Sequence, residues 1–223
     1  MIDGATLIFE LIVLIFSVMI HEISHGYVAE YLGDPTARLA GRLTMNPVSH
    51  FSLFGMVIFP ILSYWAWGVP VGSAKPVPYN PQNLKNPVSG GGLIALAGPV
   101  SNLMIAGVFG IILRAFSAFG AESGFVDALI SIVYLNVLLA VFNLFPVPPL
   151  DGSKVINLIL PGRASFYLEH FWNKVMLYIS QNQLLFLIIL FFSFRYILSG
   201  VFFVIQPIIN LLFVLIVGQP SIF

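Results

Sequence analysis

At 223 residues the chain is 59% hydrophobic and only 8% charged, against about 25% charged residues in an average soluble domain. Formal net charge is zero, so the basic footprint of nucleic-acid binding is missing, and there is no cysteine, which excludes disulfides and a thiol nucleophile. Long apolar stretches recur from end to end, so composition predicts an all-α polytopic membrane protein in a lipid bilayer, one integral-membrane domain over 1–223.

The first predicted helix, segment A, covers 5–32 and carries Glu10, His21, Glu22 and His25. With Asp3 and Glu10 and no basic start, it does not read as a cleavable signal peptide. Gly33-Asp34-Pro35 ends it and opens an insert over 33–90. Segment B, 51–67, is apolar and contains Gly55 and Pro60. Its length is about 25 Å as a helix, short of a hydrocarbon core of about 30 Å, so it is expected to be a re-entrant or half-membrane segment. VPVGSAKPVPYNPQNLKNPVSGGG follows and reads as turns with a short β-like connector. Segment C is expected over 93–119 and segment D over 126–145, where NLFPVPPLDG breaks the helix. Residues 164–181 set Phe166, Phe171 and Tyr178 among Glu169, His170 and Lys174, the pattern of an interfacial amphipathic helix. A last apolar region, 184–217, is interrupted by Arg195, Gly200 and Gln206-Pro207, and is read as one span plus a shorter piece or as two short ones. The expected architecture is a three-helix core (A, C and D, 5–32 and 90–152) plus C-terminal helices over 153–223.

Sidedness follows from the basic residues. If segment B does not cross, Arg38, Arg42, Lys75, Lys85, Lys154, Arg163 and Lys174 share one face. That lopsided arrangement predicts a cell-membrane protein with its N-terminus outside and residues 33–90 on the cytoplasmic side.

His21 and His25 are four residues apart and project from one face of a helix. Two imidazoles at that spacing can reach one tetrahedral ion, and Glu22 sits beside them where it can act on a water. H-E-x-x-H is therefore a zinc-hydrolase signature with a mechanism behind it. An incidental polar face is the bland alternative. Each ionisable group at mid-helix costs about 2.5–3.5 kcal/mol on insertion scales, and a metal supplies the compensation that three such groups need. A catalytic zinc takes a third protein ligand. Asp151 follows Pro146-Val147-Pro148-Pro149-Leu150 at the broken end of segment D, and two roles are open to it: metal ligand, or N-cap of a helix over 152–160.

HEISH on an early membrane helix, AGPVSN at 97–102 and NLFPVPPLDG at 143–152 together resemble the site-2 proteases, zinc intramembrane metalloproteases. The match covers segments A, C and D. The resemblance implies one Zn2+ on His21, His25 and Asp151, with Glu22 as general base. It also implies that Asn143 lies near the site, as an oxyanion or substrate donor, and Asn102 close by. Interhelical hydrogen bonding is the alternative for both amides. GRLTMNPVSH at 41–50 and KPVP at 75–78 look like the compact bacterial and archaeal branch, a minimal type without PDZ or CBS domains. That branch commonly has an acidic residue shortly after His50, where this chain has HFSLFG. His50 is then either a transition-state donor or a buried hydrogen-bonding residue.

A transmembrane protein substrate must unwind before cleavage, and an unwound piece can add to a strand edge. Ser73, Ala74 and Lys75 within the 69–79 stretch are the candidate edge, with a plain connector as the alternative. Rival functions are a transporter or channel, a di-metal membrane oxidase and a non-catalytic metal-binding protein. A transporter spreads ionisable groups along a path, whereas here they converge. The oxidase needs more than the four histidines present.

Overall fold

The computed structural model describes residues 4–53, 55, 58, 75–118, 123–160 and 162–218, without the side chains of 7, 117, 118, 123 and 183–199. The expected half-membrane segment 51–67 lies outside the described residues, apart from 51–53, 55 and 58, as do Ser73 and Ala74. Among the described residues the protein is helical and contains no strand.

Helix α1 is Gly4–Tyr31, 28 residues, about 42 Å at the α-helical rise. Gly33 terminates it at φ +106°. The Asp34 N–H bonds the Ala29 carbonyl at 2.9 Å and the Gly33 N–H the Glu30 carbonyl at 3.0 Å, the paired bonds of a Schellman cap. The same device closes the short α2, Thr36–Leu39. Gly41 has φ +65°, and the Gly41 and Arg42 N–H groups each reach back 2.9 Å, to the Arg38 and Ala37 carbonyls. Helix α3, Pro47–His50, starts at Asn46, whose side chain accepts the Val48 N–H. Residues 75–80 then run extended into a 3-10 turn, Pro81–Asn83.

Helix α4 spans Pro87–Ala118, six residues earlier than expected at its start. Asn86 accepts the Ser89 N–H at 3.2 Å and Pro87 opens the first turn, both good start signals. Gly90, Gly91 and Gly92 read as a loop but are helical. Gly92 is needed for closeness, since a Cβ there would stand 2.7 Å from the Leu158 side chain. Helix α5 is Ser123–Asn143. The short α6, Gly152–Val155, continues into a 3-10 turn, Ile156–Leu158. Helix α7 is Gly162–Gln181, with Phe166, Phe171 and Tyr178 exposed as the amphipathic reading expects. It is tied down by Ser165, which donates to Asn157, and by Asn157, which donates to Glu169. Helix α8 is one continuous helix, Gln183–Val217. It passes through Gly200 and Pro207, which membrane helices tolerate better than soluble ones.

Helix α4 is the hub, packing against α1, α5, α6 and α8. Ala106 of α4, Val133 and Val137 of α5, and Ile205, Ile209 and Phe213 of α8 form a buried apolar core. Small residues let the backbones approach: a Cβ on Gly110 would be 2.1 Å from Ile216. Stretches of α1, α4, α5 and α8 are each long and apolar enough to cross a membrane: Gly4–Tyr31, Pro87–Phe116, Gly124–Asn143 and Gly200–Val217. Apolar side chains such as Ile8, Met104, Ile111 and Phe203 point outward from them, the surface expected of a protein solvated by lipid.

Asp34 organises the insert. It is fully buried, and its carboxylate accepts from the Asn80 N–H at 2.6 Å, the Asn83 amide at 2.6 Å, and the Thr36 N–H and hydroxyl. Burial alone pushes this carboxyl up. Hydrogen bonds from Thr36, Asn83 and Asn80 outweigh it and hold the group below the usual carboxylate range. A depressed folded pKa contributes stability that is present above the unfolded value of about 3.9 and is lost as pH falls toward the folded one. Asp34→Asn removes the charge and turns an NH2 toward donors. It is expected to destabilise the protein by about 1.5–3 kcal/mol at neutral pH and to flatten the acid limb of melting temperature against pH in detergent. An unchanged acid limb would contradict this assignment.

Candidate metal centre

His21 and His25 lie in the C-terminal half of α1 and face α4 and the turn after α5. The His21 ring is buried and the His25 ring half-buried, with centroids 4.6 Å apart and planes at 89°. Asp151 Oδ2 is 3.0 Å from His21 Nε2 and 3.4 Å from His25 Nε2. One ligand atom from each of the three residues lies within 4.8 Å of the others. A tetrahedral zinc with bonds of about 2.0–2.1 Å sets neighbouring ligands roughly 3.3 Å apart, so the spacing fits such an ion.

The tautomers fit as well, and backbone carbonyls fix them. Asn136 Nδ2 donates 2.9 Å to the Ile132 carbonyl, which can only accept. Its Oδ1 therefore accepts from Asn102 Nδ2 at 3.0 Å, and Asn102 Nδ2 also faces the Ser17 carbonyl at 3.4 Å. That leaves Asn102 Oδ1 to accept from His21 Nδ1 at 2.6 Å. His25 Nδ1 donates to the Ile94 carbonyl at 2.6 Å. Both Nδ1 atoms thus carry the proton, and both Nε2 lone pairs face Asp151. Outer partners that orient ligating histidines in this way are usual at metal sites.

Pro99 sits inside α4 one turn beyond Ile94. It lacks the N–H that would bond the Ala95 carbonyl, next to the Ile94 carbonyl that His25 uses. Gly98 has no Cβ to spare: one would stand 2.5 Å from His21 Nε2 and 2.6 Å from His25 Cε1. Asp151 makes no side-chain cap to α6, so of its two open roles the capping one is not used. Its carbonyl accepts from Lys154 and Val155, which fixes the turn.

Glu22 is half-buried beside the triad, and its Oε2 accepts the Val77 N–H at 2.9 Å. His50 is buried and stands apart from the triad. Its Nε2 donates to the Thr44 carbonyl at 2.9 Å, and its own carbonyl accepts the Lys75 N–H at 3.1 Å. Asn143 donates to Leu139 of its own helix at 2.9 Å. The Lys75 carbonyl is taken by Arg42, so the described member of the expected strand edge is bonded within the chain at both backbone groups. Sequence reasoning missed Gly98, Asn136 and Val77. Asn136 carried a readable signal, since an amide in mid-span is costly unless partnered. Gly98 and Val77 carried none, because a close approach and a backbone N–H leave no mark on residue type.

The family model for peptidase family M50 matches residues 9–121 and 117–190. The candidate zinc metalloprotease YwhC of Bacillus subtilis (strain 168) is 40% identical over 158 residues, 68% of this chain and 69% of that protein. The candidate zinc metalloprotease Rip2 of Mycolicibacterium smegmatis is 28% identical over 144 residues, covering 64% of this chain and 54% of the relative. A third, MJ0611 of Methanocaldococcus jannaschii, is 42% identical over 68 residues, 30% of this chain and 33% of that protein. No solved structure matches the chain. Matched by the family model over most of its length, this multi-pass helical chain belongs to peptidase family M50.

Proposed function

We propose that the protein is an intramembrane zinc endopeptidase that cleaves transmembrane protein substrates within or near their spans. The convergence of His21, His25 and Asp151 at one point beside Glu22 carries this reading. The three ligands would hold one Zn2+, with Nε2 of each imidazole and Oδ2 of Asp151 as donors. When bound, zinc is a Lewis acid that polarises the scissile carbonyl and acidifies a water. Glu22 takes the proton of the attacking water and passes it to the leaving amine. Asn102 and Asn136 keep His21 in the tautomer and ring orientation the metal needs. Asn143 Oδ1 and Nδ2 stand at the end of α5, where the amide can bond substrate backbone after giving up its local bond. A non-catalytic metal protein would keep the triad but has no use for Glu22.

Glu22→Gln tests the reading. The purified variant is expected to retain zinc and to cleave a model transmembrane substrate about 10²–10⁴-fold more slowly, the range for loss of a general base. Cleavage at the wild-type rate would sink it.

The site is also proposed to open toward the cytoplasm, with the N-terminus outside. Arg38, Arg42, Lys75 and Lys85 lie between the end of α1 and the start of α4, and Lys154 lies just past α5. Arg114, at the other end of α4, bonds the Leu215 carbonyl near the end of α8. With no native cysteine, single cysteines report cleanly. An impermeant maleimide applied to intact cells is expected to label Gly4→Cys and spare Lys85→Cys; the reverse pattern would invert the topology.

A further inference from the structure

Arg42 is buried, and no other Arg or Lys is buried among the described residues. No carboxylate there pairs with it. Its Nη2 bonds the Lys75 carbonyl at 2.5 Å and lies 3.3 Å from the Pro76 carbonyl, while its Nε has no partner among the described residues. Burying a guanidinium on carbonyls alone is expensive, and such a residue calls for an account. The Schellman turn at Gly41 aims it inward.

What Arg42 holds is an extended strap, 75–80. Lys75 and Val77 each precede a proline, which biases both to extended backbone without a sheet partner. The Lys75 N–H is fixed on the His50 carbonyl at 3.1 Å, and further along the Asn80 N–H is fixed on Asp34 at 2.6 Å. Between them Pro76 and Pro78 have no N–H, so Val77 offers the single backbone donor of 76–78. That donor meets Glu22 Oε2 at 2.9 Å. Val77 is itself buried and seats on Gly26, one turn past Glu22, where a Cβ would stand 2.9 Å from Val77 Cγ1.

We propose that Arg42 and the Val77 N–H are positioning groups for Glu22: Arg42 holds the strap, and the Val77 amide, the one backbone donor of 76–78, fixes one carboxylate oxygen so that the other faces the reacting water. This rests on Glu22 being the general base. The Val77 amide bonds none of the three metal ligands, so the device acts on turnover and leaves metal content alone.

The test uses the full-length protein in detergent, with zinc per chain, kcat and KM measured for wild type, Val77→Pro, Arg42→Met, Arg42→Lys and the double variant Arg42→Met/Val77→Pro. Val77→Pro is expected to keep its zinc and its KM within about twofold and to lose about 10- to 100-fold in kcat, the size of one lost charge-assisted hydrogen bond. Arg42→Met is expected to lose kcat in the same way, and Arg42→Lys to recover part of it by donating to the same carbonyls. The double variant is expected to be no slower than Val77→Pro, because Arg42 acts through that amide. Wild-type kcat in Val77→Pro, losses that multiply in the double variant, or zinc lost from any of the three single variants would overturn the proposal. Glu22→Gln is measured in parallel. If it cleaves normally, the general-base reading fails; if it is inactive while Val77→Pro is unimpaired, only the positioning role fails.

Discussion

Asp151→Ala is expected to cost the protein its zinc and its cleavage together. Asp151 Oδ2 is the atom both imidazoles face, at 3.0 and 3.4 Å, and it is the anionic member of the triad. Loss of an outer partner at a metal site weakens binding by roughly 10- to 100-fold, and loss of a direct ligand should exceed that. The fold should survive. Asp151 does not cap α6 with its side chain, and the turn's backbone bonds from Lys154 and Val155 use its carbonyl, which Ala also has. Metal titration of the purified variant, followed by a cleavage assay, checks both halves. A variant that still binds zinc with wild-type affinity would show that Asp151 is not a ligand.

Gly98→Ala is expected to have the second-largest effect, from one added methyl group. The new Cβ would lie 2.5 Å from His21 Nε2 and Cε1 and 2.6 Å from His25 Cε1, far inside contact distance. Neither ring can step aside cheaply, since each is held through Nδ1, by Asn102 and by the Ile94 carbonyl. Overpacking of this kind costs about 1–3 kcal/mol, and here the strain falls on the two metal donors. Zinc affinity should drop by at least about 100-fold, with a modest loss of thermal stability. Gly107→Ala, on the same helix with nothing within 4 Å of its Cβ, is the control and should bind zinc as wild type does. Wild-type zinc affinity in Gly98→Ala would contradict the close approach of α4 to the triad.

Much of this was legible in the sequence, for identifiable reasons. Apolar length marked the spanning helices, because hydrocarbon leaves few alternatives for a backbone. The histidines and Glu22 stood out because polar groups in mid-span need compensation. The Gly33-Asp34-Pro35 stop was visible too, since it is written in residues with special backbone preferences. Gly90–Gly92 suggest a loop and so a later start for α4, whereas close contact with Leu84 and Leu158 makes glycine fit a helix there. The 184–217 region looked interrupted at Pro207, yet one helix runs through it. Asn102 reads as a residue close to the site or an interhelical tie, and its carboxamide ties α4 to His21 of α1 and Asn136 of α5. The strap's contact with Glu22 leaves no trace in the sequence, because a backbone N–H has no residue-type signature.

Zinc-edge X-ray absorption on the purified protein, with zinc counted per chain, tests the central claim most directly. One zinc per chain is expected, bound by two imidazole nitrogens and oxygen donors at about 2.0–2.2 Å, with the signal lost in Asp151→Ala. A protein without zinc, or one whose zinc count and spectrum are unchanged by Asp151→Ala, would contradict the account.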